Sequence, residues 1–220
     1  MIDQEQLDAL KIAIEKEIKI GNKQVGWKLG FGSPAGLAAL NIERPLIGGL
    51  FDSGEIISST QIDLEAMIEP RVEAELAAHV CDDIPSDATF DQINNCISRF
   101  VAGIERVVFH SPPVSPTFVL SENIYQRGWI VDKDTGAGWG DGANGCQITV
   151  TMGPEEWEPF KKIETLIGTL EDNFDECNLI ANQLGRGILK GDVILLGSMF
   201  PPHPVNMSDF EVSMLSLIHI

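Results

Sequence analysis

The segment Glu69-Pro70-Arg71-Val72-Glu73-Ala74-Glu75-Leu76-Ala77-Ala78 sets two carboxylates one residue apart in a stretch whose second half is apolar. As a strand, where side chains repeat every second residue, it puts Glu73 and Glu75 on one face; a helix would splay them apart. Two like charges side by side and partly buried are costly unless positive charge stands between them. A divalent cation meets that need, since Mg2+ binds through one or a few carboxylates and completes its shell with waters and substrate oxygens. Alone the pattern is ordinary: Glu-x-Glu is common on solvent faces of antiparallel strands, and a chain with 33 acidic residues contains such pairs by chance. Its meaning depends on a third carboxylate, a lysine and a shaped loop elsewhere in the chain.

At 220 residues the chain is long enough for a sizeable core and fits one large domain. Its 44% hydrophobic and 22% charged residues are those of a globular protein. No apolar run approaches the roughly 20 residues of a spanning helix, and Met1-Ile2-Asp3-Gln4-Glu5-Gln6 lacks a basic leader region, so a soluble, cytoplasmic protein with no membrane partner is expected. Fifteen basic against 33 acidic residues give a net charge of −18, which repels phosphate backbones and argues against nucleic acid as a partner. The same field repels small anions, so a site for an acid must carry its own positive charge. Cys81, Cys96, Cys146 and Cys177 form no C-x-x-C pair and read as reduced structural thiols. His79, His110, His203 and His219 have no metal-ligand spacing.

Asp3 with Gln6 caps an opening helix carrying Leu7, Leu10, Ile14 and Ile18, which Gly21 stops. Val25 to Leu29 reads as a strand, Ser33-Pro34 starts a short helix, and glycine and proline then dominate to Gly49. After the acidic strand, near residues 72 to 80, Thr89 with Gln92 caps a second helix expected to carry Ile93, Ile97 and Phe100, and Val101 to Val108 returns as a strand. The stretch from there to Gly145 is rich in Gly, Pro, Ser and Asp and reads as a covering for an active site, with Trp139 inside it. Ile148 to Met152, Leu166 to Leu170, Val193 to Gly197 and Phe210 to Ser216 read as strands, and Asn173 to Leu184 as a helix. Strands outnumber helices and connections are short, so a mixed, strand-rich α+β domain is expected, with residues 1–24 as a helical segment and 25–220 as one catalytic domain. Trp27, Trp129 and Trp157 read as packing residues. Asp132, Asp134 and Asp141 lack an EF-hand's closing glutamate and read as a solvated loop.

Glu105 lies on the returning strand, after an excursion that can bring it back beside Glu73 and Glu75. Gly26-Trp27-Lys28-Leu29-Gly30, Pro70-Arg71-Val72-Glu73-Ala74-Glu75, Gly103-Ile104-Glu105 and Gly191-Asp192-Val193-Ile194-Leu195-Leu196-Gly197-Ser198 together resemble the 2-keto-4-pentenoate hydratase and oxalocrotonate decarboxylase branch of the fumarylacetoacetate hydrolase superfamily. The resemblance runs over about Val25 to Leu217 and implies that superfamily's C-terminal fold, a mixed sheet with a few peripheral helices. It implies Mg2+ or Mn2+ held by Glu73, Glu75 and Glu105, with Lys28 as the active-site lysine and a small 2-oxo acid as substrate. Such an acid chelates the metal through its carboxylate and 2-oxygen, and a nearby ammonium supplies further charge and a proton. Ser198 and Asp141 would line the substrate pocket.

The turn Gly197-Ser198, followed by Pro204-Val205, is closer to the hydratases than to the superfamily's hydrolases. The implied reaction is addition of water to a 2-hydroxy-dienoate to give a 4-hydroxy-2-oxo acid. The departures are local. Pro45-Leu46 stands where the hydratases commonly have Pro-Asp, the family's Ala-Asp-Asn corresponds loosely to Gly140 to Gly145, and its late His-Pro is absent around Asp172-Asn173. Leu46 in place of an acid/base aspartate favours the alternative of decarboxylating a 2-oxo-dioate, and the missing aspartate also motivates a third reading, a catalytically silent partner subunit. The family habit implies a homo-oligomer, or a complex with a homologous subunit.

Overall fold

The computed structural model describes residues 2–57, 69–109, 111–132, 146–205 and 210–216, the last three of these by backbone only. Helix α1 (Gln4–Lys19) begins at the expected capping box, in which Asp3 and Gln6 satisfy each other's backbone N–H groups. It packs its buried residues Leu10, Ala13 and Ile14 against α4 (Pro116–Ser121) and β2 (Leu46–Phe51). Helix α2 (Pro34–Leu40) starts at Ser33-Pro34 as read, and ends on Asn41 in the left-handed conformation.

The main sheet has the order β2-β1-β8-β3-β4-β5, with β1 at Gln24–Gly30, β3 at Pro70–Val80, β4 at Ile97–Val108, β5 at Gln126–Val131 and β8 at Val193–Ser198. It is mixed: β1 and β8 run parallel, and the other main pairings are antiparallel. The sheet curls until its two ends meet. Glu55, just past β2, bridges to Trp129 of β5, and Ile56 N–H donates to the Trp129 carbonyl at 2.8 Å. The strand-rich α+β architecture expected from the sequence is the one observed.

Pleating then sorts the side chains. Leu50, Ala77, Val101, Trp129, Val131, Val193 and Leu195 fill the inside of the curl. The larger core lies outside it, where Trp27, Leu29, Leu76 and Phe100 meet Phe174, Cys177 and Ile180 of α6 (Leu170–Gln183). A second sheet, β10-β6-β7, joins β6 (Cys146–Met152) to β7 (Glu155–Glu156) and β10 (Phe210–Ser216), and β9 (His203–Pro204) pairs with the start of β3. Trp27 and Trp129 are buried packing residues, and Trp157 stacks on Phe200 with centroids 5.6 Å apart. Among the described residues no helix is long and apolar enough to cross a membrane.

Three readings of the sequence are corrected. The glycine-rich run ending at Gly49 contains β2, every residue of which is buried; Gly48-Gly49 lowers its strand propensity, and pairing with β1 overrides that. The helix capped by Thr89, α3 (Phe90–Asn95), stops before Ile97 and Phe100, which are buried on β4 because pairing with β3 extends that strand back to Ile97. Leu166 to Leu170 is no strand: α5 (Glu164–Ile167) ends at Gly168, with φ +90°, and the Thr169 hydroxyl caps α6. The long Gly- and Pro-rich stretch holds α4 and β5, while its part from 133 to 145, with Trp139, lies outside the described residues.

The parallel pairing of β1 with β8 tolerates no side chain at Gly26. A Cβ there would lie 1.9 Å from the Val193 carbonyl oxygen, which is backbone. Gly26→Ala is expected to lose about 3 kcal/mol of stability, the upper end for an overpacked site, read as a lower midpoint in urea. An unchanged midpoint would mean that the strands are farther apart than described.

Candidate metal centre

Antiparallel pairing of β3 with β4 sets Glu73 directly opposite Glu105 and Glu75 opposite Gly103, so all three carboxylates face the inside of the curl. One carboxylate oxygen from each lies within 4.8 Å of the others, the only such group of metal-ligating side chains among the described residues. Glu75 and Glu105 are 1% exposed and Glu73 is half-buried. Lys28 comes from β1, two strands away from β3, and is equally buried. Its Nζ donates to both oxygens of Glu105, at 2.5 and 2.7 Å, and to the Ile124 carbonyl at 3.4 Å. Three N–H bonds on an ammonium are thereby matched to three acceptors.

The charge is out of balance. Among the described residues three carboxylates face one ammonium, so their full ionisation leaves two negative charges in a buried site. Burial, and next the charge of Glu105, push the Glu73 carboxyl up to about 8, against the lowering effect of Lys28 and a hydrogen bond from Ser198. Burial also raises Glu75 well above the usual carboxylate range, helped by Glu105 and Glu73 and opposed by Lys28 and by the Gly197 N–H, which donates to Glu75 Oε2 at 2.8 Å. Glu105 is raised by burial, with Lys28 opposing. Hard oxygen donors, converging and short of two positive charges, fit Mg2+ or Mn2+.

The structure brings together four of the six candidate residues, Lys28, Glu73, Glu75 and Glu105, and sets a fifth beside them. Ser198 pairs with Glu75 in the sheet; its hydroxyl donates to the Phe200 carbonyl at 2.6 Å and lies within reach of Glu73. Asp141 lies outside the described residues. Leu46 pairs with Gly30 two residues from the Lys28–Gly48 pair, which places it on the lysine's face of the sheet, buried and apolar.

Sequence reading missed the turn that holds the Ile124 carbonyl. Asn123, Ile124 and Tyr125 all have positive φ, at 49°, 52° and 60°. For L-residues, and a β-branched one above all, this costs about 1–2 kcal/mol per residue. Asn123 pins the turn by accepting from Gly49 N–H and donating to its carbonyl, each at 2.8 Å. Gly30 leaves the space that Ile124 fills, since a Cβ there would lie 2.6 Å from its Cγ2. Nothing in Asn-Ile-Tyr signals a left-handed turn.

No family model matches the chain. Over 88 residues it is 34% identical to the 2-keto-4-pentenoate hydratase of Burkholderia vietnamiensis (strain G4 / LMG 22486), covering 40% of this chain and 34% of that protein. Over 57 residues it is 39% identical to a 4-oxalocrotonate decarboxylase of Pseudomonas putida, covering 26% and 22%. These matches therefore span about a third or less of the relatives' lengths. The structure of 4-oxalocrotonate decarboxylase from Pseudomonas putida G7, complexed with magnesium and adipate, superposes with a TM-score of 0.81 at 19% identity, over 95% of this chain and 81% of that one. A fumarylacetoacetate hydrolase family protein from Yersinia pestis CO92 gives 0.63 at 11% identity, over 86% and 87%. The mixed, curled sheet is thus the fumarylacetoacetate hydrolase fold, and the resemblance to the hydratase and decarboxylase branch is borne out.

The raised carboxyls couple stability to pH. A carboxyl whose folded pKa exceeds its unfolded value keeps its proton in the folded state where the unfolded chain has lost it, so it removes stability as pH rises from about 4.5 to about 8. The metal-free protein is expected to melt at progressively lower temperature across that range, and Glu73→Gln to flatten the decline. Mg2+ should raise the melting temperature more at pH 8 than at pH 5. An equal increment at both pH values would refute the raised carboxyls.

Proposed function

We propose that this chain is a divalent-metal-dependent lyase acting on a small 2-oxo acid or its enol. The observation that carries the reading is the Glu73, Glu75 and Glu105 cluster facing the buried, fully directed ammonium of Lys28. Support comes from the two partial curated matches, one to a hydratase and one to a decarboxylase. When bound, Mg2+ or Mn2+ would supply Lewis-acid stabilisation of the negative charge that develops on the chelating acid.

The chain's own groups do the rest. Glu73 and Glu75 offer carboxylate ligands from one strand, and Glu105 a third from the next, while the inside of the curl excludes water from around them. Glu105 and the Ile124 carbonyl hold Lys28 Nζ at the edge of the carboxylate cluster, where it can deliver a proton to the substrate or take one back. Ser198 offers a hydroxyl next to Glu73 that can turn from the Phe200 carbonyl toward a bound oxygen.

Hydration is the reaction we assign: water adds to a 2-hydroxy-dienoate, no electrons are exchanged, and a 4-hydroxy-2-oxo acid results. Decarboxylation of a 2-oxo-dioate is the second reading, and Leu46 favours it. On β1 and β2 the face around Lys28 offers Gly30, Leu46 and Gly48, whose side chains cannot position or activate a water. Loss of CO2 requires no such group, because the electron pair of the broken carbon–carbon bond remains on the substrate until a proton arrives.

The test is to supply the Mg2+-loaded protein with a 2-hydroxy-dienoate and with a 2-oxo-hexenedioate, and to measure hydrated product and CO2. Lys28→Met is expected to keep Mg2+ binding in calorimetry and to slow turnover by about 100-fold or more. Metal binding without turnover of either acid would leave a silent subunit in place of a lyase. Unchanged Mg2+ affinity in Glu73→Ala and Glu105→Ala would remove the metal site itself.

A further inference from the structure

We propose that Arg71 determines specificity by binding the far carboxylate of a dicarboxylic 2-oxo acid, an inference that rests on the metal-lyase reading above. Strand alternation puts Arg71 on the same inner face as Glu73 and Glu75, paired with Val107 one step along from the Glu73–Glu105 pair. Glu73, the member of the cluster nearest Arg71 along β3, is half-buried where Glu75 and Glu105 are fully buried. The loop after Ser198 arrives at that same end, where β9 pairs with Arg71 and Val72.

Arg71 lines a cavity of about 560 Å3 together with Phe109, Pro112, Pro113, Pro201 and Pro202. Most of the wall is apolar, and its prolines have no N–H to offer an anion, while Ser111 adds a hydroxyl. The guanidinium is the cavity's cation. It lies over the Phe109 ring, 5.8 Å from the centroid, and donates through Nη1 to the Pro202 carbonyl at 3.1 Å. A half-buried arginine fixed on two sides, with no ion-pair partner among the described residues, keeps donors of a five-N–H fork for a planar, bidentate acceptor. Glu69 also borders the cavity and opposes an anion there, but it is exposed, so solvent and salt screen it.

Spacing agrees with this role. Two residues of strand separate Arg71 from Glu73 by about 7 Å. The carboxyl carbons of an extended six-carbon diacid lie roughly 6 Å apart, from the length of its carbon–carbon bonds. An acid chelated at the carboxylate cluster through its 2-oxo end is thus long enough to span the separation between Glu73 and Arg71 along β3. With a net charge of −18 on the chain, a second substrate carboxylate needs a local cation to be accepted at all. The assignment holds for either reaction, since a dioate can be hydrated or decarboxylated.

The closing experiment uses two saturated 2-oxo acids of equal length, 2-oxohexanedioate and 2-oxohexanoate, titrated into the Mg2+-loaded full chain by calorimetry with oxalate as the chelation control. Wild type is expected to prefer the dioate by about 10- to 100-fold, the range of a charge-assisted hydrogen-bonded pair. Arg71→Met should abolish that preference and leave 2-oxohexanoate within about twofold of wild type; Arg71→Lys, which keeps the charge and loses the fork, should retain part of it. Oxalate binding with no preference between the two acids in wild type, or an equal loss for both acids in Arg71→Met and Arg71→Lys, overturns the role of Arg71 and leaves the metal reading intact. If none of the three acids binds in the presence of Mg2+, the metal reading fails and this inference with it.

Discussion

The site is organised by the buried ion pair between Lys28 and Glu105, which spans the inside of the curled sheet from β1 to β4. Removing two charges from water is costly, and their mutual attraction repays that only when geometry and additional hydrogen bonds are good. Here the ammonium has the two Glu105 oxygens and the Ile124 carbonyl as acceptors. What the pair leaves unsolved is the chemistry of the site. Glu73 and Glu75 stand beside it with no ion-pair partner among the described residues, and burial first, then the neighbouring carboxylates, raises their carboxyls. The pair is a structural solution for one carboxylate and a reason to recruit a divalent ion for the other two.

Reaching that geometry requires the sheet to close, and closure has local costs. Gly26 lets β1 run against β8, and the Glu55–Trp129 bridge joins the ends of the curl. The left-handed turn at Asn123 to Tyr125 carries its strain just where it presents a carbonyl to Lys28. Strained backbone persists only when its surroundings over-determine it. The two hydrogen bonds between Asn123 and Gly49, with the packing of Ile124 over Gly30, supply that determination.

Legibility in the sequence followed how local each signal was. Glu73 and Glu75 were readable because period-two alternation alone puts them on one face, and Glu105 because it sits on an apolar strand returning to the same place. Lys28 was found by resemblance, since nothing in Gly-Trp-Lys-Leu-Gly says that its side chain crosses two strands to meet Glu105. Strand β2 was hidden because Gly48-Gly49 looks like a loop until a neighbouring strand pairs with it. The same non-local pairing took Ile97 and Phe100 from the α3 reading, whose capping box was correct but whose end was not. Arg71 stood inside the opening stretch of sequence and carried no signal, because its meaning comes from Phe109 and Pro202, which the fold brings to it from 38 and 131 residues away.

Hydration and decarboxylation make the same demands on the deep part of the site: an oxygen cluster for a metal, and a held ammonium to manage a proton. They differ in what they need beside Lys28. Hydration needs a group that places a water against the substrate, and Leu46 removes one candidate from the face of the sheet that carries Lys28. Arg71, one strand step along β3 from the carboxylate cluster, would select for a second substrate carboxylate, a choice separate from that between the two reactions. On the proposed reading, changes at Leu46 or Arg71 leave the Lys28–Glu105 pair in place, whereas changes in the carboxylate cluster remove the deep site that either reaction would need. Relatives named for different reactions on one fold are what such a division of labour produces.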